Sequence, residues 1–421
     1  MTSTLSVFHG DRPVGDIRVG PDGTGFAYAE DWLARRDAFP ASVRMPLAAA
    51  PVPSEIITPW LANLLPEGAA LSTAGRWLGV EPRDVVGMVE QIGRDVAGAL
   101  SFGRSRPGAA PRHVPIPDEA ALERIIEELP LRPFLVGEEG VSMSLAGAQE
   151  KLPVARLPDG TLAVPADGMP STHILKPDNE ARLFGSVQNE ALCMVLARRA
   201  GLSVAAVTTG RAGARRYLLV KRYDREWHAG TWMRLHQEDF CQALGKPPAA
   251  KYQRNQTGVP GPGVADMFAV VRRHAPGQSI LRLLDAVIFN VLICNTDAHA
   301  KNYSLLLLGR TRVELAPLYD LMCAAAWDSV TKNLAQEIGG TNRGDQVTAK
   351  HWRRLAAEAG TSPAATLARV ARMMELVEAQ VGPAVDEVRA MPAGDHGMLR
   401  VFADKIRERC RRVRANLAVD A

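Results

Sequence analysis

The segment Asn295-Thr-Asp-Ala-His-Ala-Lys-Asn302 gathers Asn295, Asp297, His299, Lys301 and Asn302, and Asp320 follows a short distance downstream. A hydrophobic core would not accept this set, because polar side chains buried without partners cost free energy. They are expected to face a ligand or water. A carboxylate such as Asp297 can take a hydroxyl proton, while Asn302 and Asp320 offer the hard oxygen atoms that Mg²⁺ prefers beside phosphate. Phosphoryl transfer is the chemistry these residue types suit.

Spacing adds to composition. Asp297 and Asn302 stand at the D-x-x-x-x-N interval of protein kinases, where the Asp receives the substrate proton and the Asn holds the metal. Ile280, Leu284, Val287, Ile288 and Val291 repeat at helical intervals and predict a buried helix that delivers the loop. After it, Tyr303 to Leu308 and Val313 to Ala316 read as two short strands around Gly309-Arg-Thr, ending at Pro317-Leu-Tyr-Asp320. Helix, polar loop, hairpin and second Asp is the order in which kinases present these groups. Each carboxylate also has a blander reading, Asp297 as a loop cap and Asp320 as a helix N-cap.

The nucleotide half of such a site should lie upstream. Lys176 ends a predicted strand and suits the α- and β-phosphates, and Glu190 on the next helix is its candidate partner. A solvated lysine and a self-capping glutamate are the alternatives. Ser142-Met-Ser144-Leu-Ala-Gly147-Ala-Gln149-Glu150-Lys151 is rich in small residues, which let backbone N–H groups approach phosphate. It matches neither GxGxxG nor a Walker A sequence, so only its position nominates it as a phosphate loop.

These parts need a scaffold, and 421 residues exceed what one hydrophobic core usually holds. A three-unit division is expected: 1–105, 106–222 and 223–421. Leu5 to Phe8, Asp16 to Val19, Phe26 and Tyr28 suggest a small sheet followed by helices. The stretch 104–117 carries four prolines and reads as a linker. Asp118 then caps a helix, and short apolar runs at Leu152, Leu162, His173 and Tyr217 read as strands of one sheet around a helix through Asn189 and Glu190. Beyond Tyr223 the pattern turns helical, with segments near 236–244, 263–274, 280–294, 351–358, 362–381 and 397–417. A sheet-rich lobe beside a helical lobe leaves a cleft between them, where ligands usually bind.

Apolar residues at 47% and charged residues at 23% describe folded protein, not disorder. No long apolar run and no leader pattern suggest a membrane, so a cytoplasmic location is expected. Five scattered cysteines form no CxxC pair and are expected to be reduced. A net charge of +4 does not imply nucleic-acid binding. The cations of 400–414 are read first as a solvated helix face and second as an anion-contacting one.

Ser144-Leu-Ala-Gly-Ala-Gln-Glu-Lys151, Leu175-Lys176-Pro, Asn189-Glu190, Lys221-Arg-Tyr-Asp-Arg225, His236-Gln-Glu-Asp239, Asn295 to Asn302 and Leu318-Tyr-Asp320 together resemble the HipA toxin kinases, over about residues 1 to 400. The resemblance implies an α+β, bilobal fold related to protein and phosphoinositide kinases, with a small N-terminal α/β unit and a mainly helical C-lobe. It implies a serine/threonine kinase using ATP and Mg²⁺, with Asp297 as catalytic base and Asn302 and Asp320 as metal ligands. It assigns Ala146, Gly147, Ala148, Gln149, Glu150, Lys151 and Lys176 to the phosphates, and Lys221, Arg222 and Tyr223 to the adenine hinge. His299, Ala300, Lys301, Asn302, Tyr319 and Asp320 complete its nucleotide site. Ser144 matches the family's autophosphorylated serine, whose modification inactivates the enzyme, and Ser142 is a second candidate. The implied target is an aminoacyl-tRNA synthetase, with glutamyl-tRNA synthetase best known, so that charging and translation stop and growth arrests. The implied partner is a HipB-like helix-turn-helix antitoxin, the pair repressing its operon on DNA.

Lys221 stands where an acidic residue is familiar in that family, and relatives differ in their synthetase target. Two rival readings remain: a small-molecule or lipid kinase, and a catalytically weak corepressor. The intact Lys176, Asp297, Asn302 and Asp320 set speaks against the corepressor, and the lack of a membrane-binding segment against a lipid substrate.

Overall fold

The structure is a computed structural model, described here for residues 3–21, 23–103 and 110–419. It is an α+β fold with three hydrophobic cores.

The first core lies under a four-stranded antiparallel sheet ordered Gly23–Tyr28, Arg12–Gly20, Ser3–His9 and Ser101–Phe102. Alternation puts Leu5, Val7 and Ile17 inward, a register shift after Val7 brings Val14 in with them, and they meet Trp32, Trp60 and Phe102. The helices Ser54–Ala62, Gly68–Leu78 and Val85–Ile92 cover this side.

The second core belongs to a six-stranded antiparallel sheet ordered Arg112–Pro115, Leu162–Ala166, Leu152–Arg156, His173–Pro177, Arg215–Lys221 and Val207–Ala212. The runs expected as strands therefore share one sheet. The proline-rich stretch differs in part from the expected linker. Arg112–Pro115 adds to the sheet edge against Leu162–Ala166, and an edge is where a strand tolerates proline. Residues 104–109 of that stretch lie outside the described residues.

The third and largest core is helical, built on Val264–His274, Gln278–Leu292, Ala349–Ala359, Pro363–Arg389 and Met398–Val419. The helix Ser186–Arg199 follows the six-stranded sheet in sequence, yet Leu192, Val195 and Leu196 sit in this C-terminal core. Glu190 thus rides an element fixed by the lobe opposite Lys176.

The helix expected over 236–244 is corrected. Gln237–Asp239 is a strand paired with Ser304–Leu307, which pairs in turn with Val313–Leu315. The helix begins only at Phe240, where the Asp239 side chain accepts from the Gln242 N–H in a capping box.

All five cysteines are free and buried. Among the described residues no helix is long and apolar enough to cross a membrane.

Candidate active site

A cleft enclosing about 270 Å³ opens where the three cores meet, lined by the 145–151 loop, Lys176, the 220–224 strand end, the 297–304 segment and Asp320.

The 297–302 loop is braced from below. The helix Gln278–Leu292 ends, Cys294 turns into the left-handed region at φ +56°, and Asn295 Nδ2 donates to Asn290 Oδ1 at 2.9 Å. Asn295 Oδ1 accepts from the Asp297 N–H at 3.2 Å, so this buried amide shapes the loop and does not face a ligand as expected. Asn302 Nδ2 donates to the Asp297 carbonyl at 2.8 Å, closing the five-residue interval into a turn.

Asp297 keeps 47% of its side-chain exposure at the cleft. Burial by the cleft walls pushes its carboxyl above the ordinary value, and the Tyr252 hydroxyl, which donates to Oδ1, works against that push. His299 is buried and held neutral by burial together with the nearby Lys251 and Lys301 charges. Its Nδ1 has no hydrogen-bond partner, so it is a donor or acceptor left for a ligand.

Lys176 Nζ sits 2.6 Å from Glu190 Oε1 and also donates to Asp320 Oδ1. Burial alone would lower the Lys176 pKa, but the two carboxylates outweigh it and raise it. Asp320 shows the converse: Lys176 and Lys151 overcome burial and hold its carboxyl below the usual range. Asp320 is not the N-cap of a helix; it takes φ +54°, an uncommon conformation for a residue with a Cβ. Glu190 lies inside its helix and does not cap it.

The 145–151 loop folds over the cleft. Lys151 Nζ donates to the Ala146 carbonyl, and Gly147 adopts φ +105°, where a Cβ would meet that ammonium at 2.9 Å. Burial, with Lys176 adding to it, lowers the Lys151 pKa to about 8. Gln149 and Glu150 are exposed, and of the two Gln149 lines the cleft. Ser144 is wholly buried and Ser142 half-buried, their hydroxyls donating to the carbonyls of Leu64 and Gln91.

At 221–223 the backbone and side chains part company. Lys221 is exposed, whereas Arg222 is buried and donates to Asp224, Ser171 Oγ and the Val96 carbonyl. Arg222 can therefore offer a nucleotide only its backbone and stem. Tyr223 and Tyr319 face each other at 5.8 Å between ring centroids. The Lys301 ammonium is consumed inside the protein by Asn63 Oδ1 at 2.7 Å and Asp239 Oδ2 at 2.9 Å.

Asn63, Glu67, Asp239 and Tyr252 also line the cleft, and sequence spacing did not nominate them as site residues. Asp239 had a signal, the His236-Gln-Glu-Asp239 motif. Asn63 and Glu67 had none, since they reach the cleft from the N-terminal core.

As a donor set the cleft combines the oxygen-bearing Asp297, Asn302 and Asp320 with the cations Lys151 and Lys176, Lys176 in contact with Asp320. A divalent hard cation and a polyphosphate are the ligands that chemistry accepts. The orphaned His299 Nδ1 and Glu67 Oε1 agree with a polar occupant.

Residues 5–103 match the family model of the HipA N-terminal domain, and residues 143–381 that of the HipA-like C-terminal domain. The protein Y4mE of Sinorhizobium fredii is 38% identical over 423 residues, covering 98% of this chain and 99% of its own length. The serine/threonine-protein kinase toxin HipA of Shewanella oneidensis is 32% identical over 355 residues, covering 80% of this chain and 79% of its own. A solved structure of the Shewanella oneidensis MR-1 toxin-antitoxin system HipA, HipB and its operator DNA superposes with TM-score 0.85 at 26% identity, over 98% of each chain.

Proposed function

The chain belongs to the HipA family of serine/threonine kinase toxins, and from that premise we propose that it transfers the γ-phosphoryl group of ATP to a serine hydroxyl in a Mg²⁺-dependent reaction. The observation that carries the reading is the Lys176 bridge to Glu190 and Asp320 in the cleft that Asp297 and Asn302 also line.

Lys176 and Lys151 would take the phosphate oxygens, and the backbone at 221–223 the base. Asn302 and Asp320 would hold Mg²⁺, which supplies charge neutralisation at the phosphate oxygens. Asp297 accepts the proton of the incoming hydroxyl, whose oxygen forms the new bond to phosphorus as the bond to the β-phosphate oxygen breaks. The raised carboxyl of Asp297 suits a group that must take a proton and give it up again.

Ser144 is the proposed site of inactivating self-phosphorylation, with Ser142 second. Its docking under the N-terminal core supports this, because a phosphate there would lever the 145–151 loop out of the cleft. The proposed target is an aminoacyl-tRNA synthetase serine, whose modification stops translation and arrests growth. A HipB-like antitoxin is the proposed partner, supported by the full-length likeness to a HipA complexed with HipB and operator DNA. The division at 1–105, 106–222 and 223–421 follows the same reading.

Purified protein given Mg-ATP should label itself on Ser144, and Asp297→Gln should abolish the label. Undiminished labelling in that variant removes Asp297 as the base. Growth arrest on expression that survives Asp320→Asn argues for a non-catalytic role.

A further inference from the structure

Tyr252 lies outside every motif that nominated the site. It stands in the segment between the helices Phe240–Leu244 and Val264–His274, yet its hydroxyl donates to Oδ1 of Asp297. Its ring is wedged in place. His299 meets it edge-on at 5.1 Å between centroids, and Lys251 Nζ lies 5.8 Å from the ring centre. The backbone is pinned too. The Lys251 carbonyl accepts from the Ala300 N–H at 3.2 Å, the Tyr252 carbonyl from Asn255 Nδ2 at 3.0 Å, and the Gln253 N–H donates to the Ala335 carbonyl at 3.1 Å.

The other end of this arrangement reaches the N-terminal core. Lys251 Nζ pairs with Glu67 Oε2 at 2.7 Å, and the Glu67 N–H donates to the Gly147 carbonyl of the 145–151 loop at 3.1 Å. The proton-accepting carboxylate and the small-residue loop are thus tied to one another through Tyr252, Lys251 and Glu67.

We propose that Tyr252 is a positioning residue for Asp297: by donating to Oδ1 it fixes the carboxylate rotamer and leaves Oδ2 to receive the acceptor's proton. Oδ1 has a second close neighbour, His299 Nε2 at 3.9 Å. No hydrogen bond among the described residues engages Oδ2, and the side chain is half open to the cleft. The phenol is buried enough that its own ionisation is pushed up, so it stays a donor at any working pH. The inference rests on Asp297 being the base.

The test compares the full chain with Tyr252→Phe, which keeps the ring and removes the hydroxyl. Self-phosphorylation with Mg-ATP should fall by roughly tenfold or more in kcat, with KM for ATP within about twofold. Affinity for a fluorescent ATP analogue should stay within about twofold, since the hydroxyl bonds to the carboxylate. In an Asp297→Asn background the loss of the hydroxyl should cost little more, because a residue that acts through Asp297 then has nothing left to position. A loss that falls on ATP affinity instead of kcat, or that adds in full to the loss in Asp297→Asn, makes Tyr252 merely structural and overturns the proposal. A faster variant does so as well, because Tyr252 would then be a plug in the acceptor's place. Full turnover in Asp297→Asn defeats the base assignment, which Tyr252→Phe alone cannot do.

Discussion

The Ser144 hydroxyl donates to the Leu64 carbonyl at 2.8 Å, and the side chain is entirely buried. The Ser144 N–H also donates to the Asp95 carbonyl at 3.0 Å, and the Asp95 N–H to the Ser142 carbonyl at 3.1 Å. The serine is stitched to the N-terminal core while the loop after it covers the cleft. A phosphate cannot share that space with the Leu64 carbonyl, so modification and loop closure are mutually exclusive.

Ser144→Glu should therefore weaken ATP binding by more than about tenfold and speed amide exchange over 142–151, whereas Ser144→Ala should cost only about 1 kcal/mol of stability. Calorimetric titration and hydrogen exchange read both. Wild-type affinity in Ser144→Glu would count against the loop-ejection account.

Lys151 gives a pH signature. Burial lowers its pKa from the ordinary 10.5 to about 8, so part of the population is neutral at pH 8. Arriving phosphates favour the charged form, and binding must then take up a proton. ATP affinity should fall as pH rises from 7 to 9, and heats measured in buffers of different ionisation enthalpy should report the uptake. Lys151→Met should flatten the dependence. Proton release on binding would refute the assignment of Lys151 to the phosphates.

What the sequence made legible was local. The helix into 295–302, the hairpin to Asp320 and the strand ending at Lys176 are each written in contiguous spacing, and the structure builds them as elements around one cleft. The unreadable part is long-range. Tyr252, Glu67 and Asn63 reach the site from segments whose sequence carries no chemical pattern, and only the packing of three cores brings them there. The 236–244 segment misled because Asp239 serves both as strand end and as helix cap, and an apolar period cannot show where one gives way to the other. Arg222 misled differently: its motif is real, but its side chain turns away from the cleft.

It turns to a buried cluster. Asp95 Oδ1 lies 2.9 Å from Arg225 and 3.3 Å from Arg234, and Arg222 is 3.7 Å from Oδ2. Burial would raise the Asp95 carboxyl, but the three guanidinium groups prevail and hold it far below its ordinary 3.8. A depressed carboxyl contributes stability above its unfolded value and loses it as pH falls through the folded one. Asp95→Ala should cost about 3–5 kcal/mol, because it leaves buried guanidinium charge with Asp224 alone to balance it, and the loss should narrow below about pH 4. Urea denaturation across pH checks this, and a loss under about 1 kcal/mol would show that the cluster relaxes on its own.

Lys176 stands between two carboxylates as the stronger of the two lysine charges that offset them, Lys151 being the other, so its removal has a stability cost with a predictable pH dependence. In Lys176→Met, Glu190 and Asp320 face each other across the cleft without their shared cation. Glu190 already has its carboxyl raised, by burial first and by Asp320 in part, and losing Lys176 removes the main opposing influence. Asp320 loses the larger of the two charges that held it down. Both folded-state pKa values should then lie above their unfolded values, so the variant gains stability as pH falls and the carboxyls protonate. Its deficit against wild type should be about 3 kcal/mol near pH 8, at the low end for a buried pair because Asp320 is 31% exposed. The deficit should shrink steadily toward pH 5. Phosphorylation activity should be lost throughout, since a protonated Asp320 cannot hold Mg²⁺ and Lys151 alone is left to meet the phosphates. Thermal unfolding at matched pH separates the outcomes: a deficit that stays constant from pH 8 to 5 means the two carboxylates part and solvate when the lysine is gone, and the bridge then has no electrostatic role in holding the lobes.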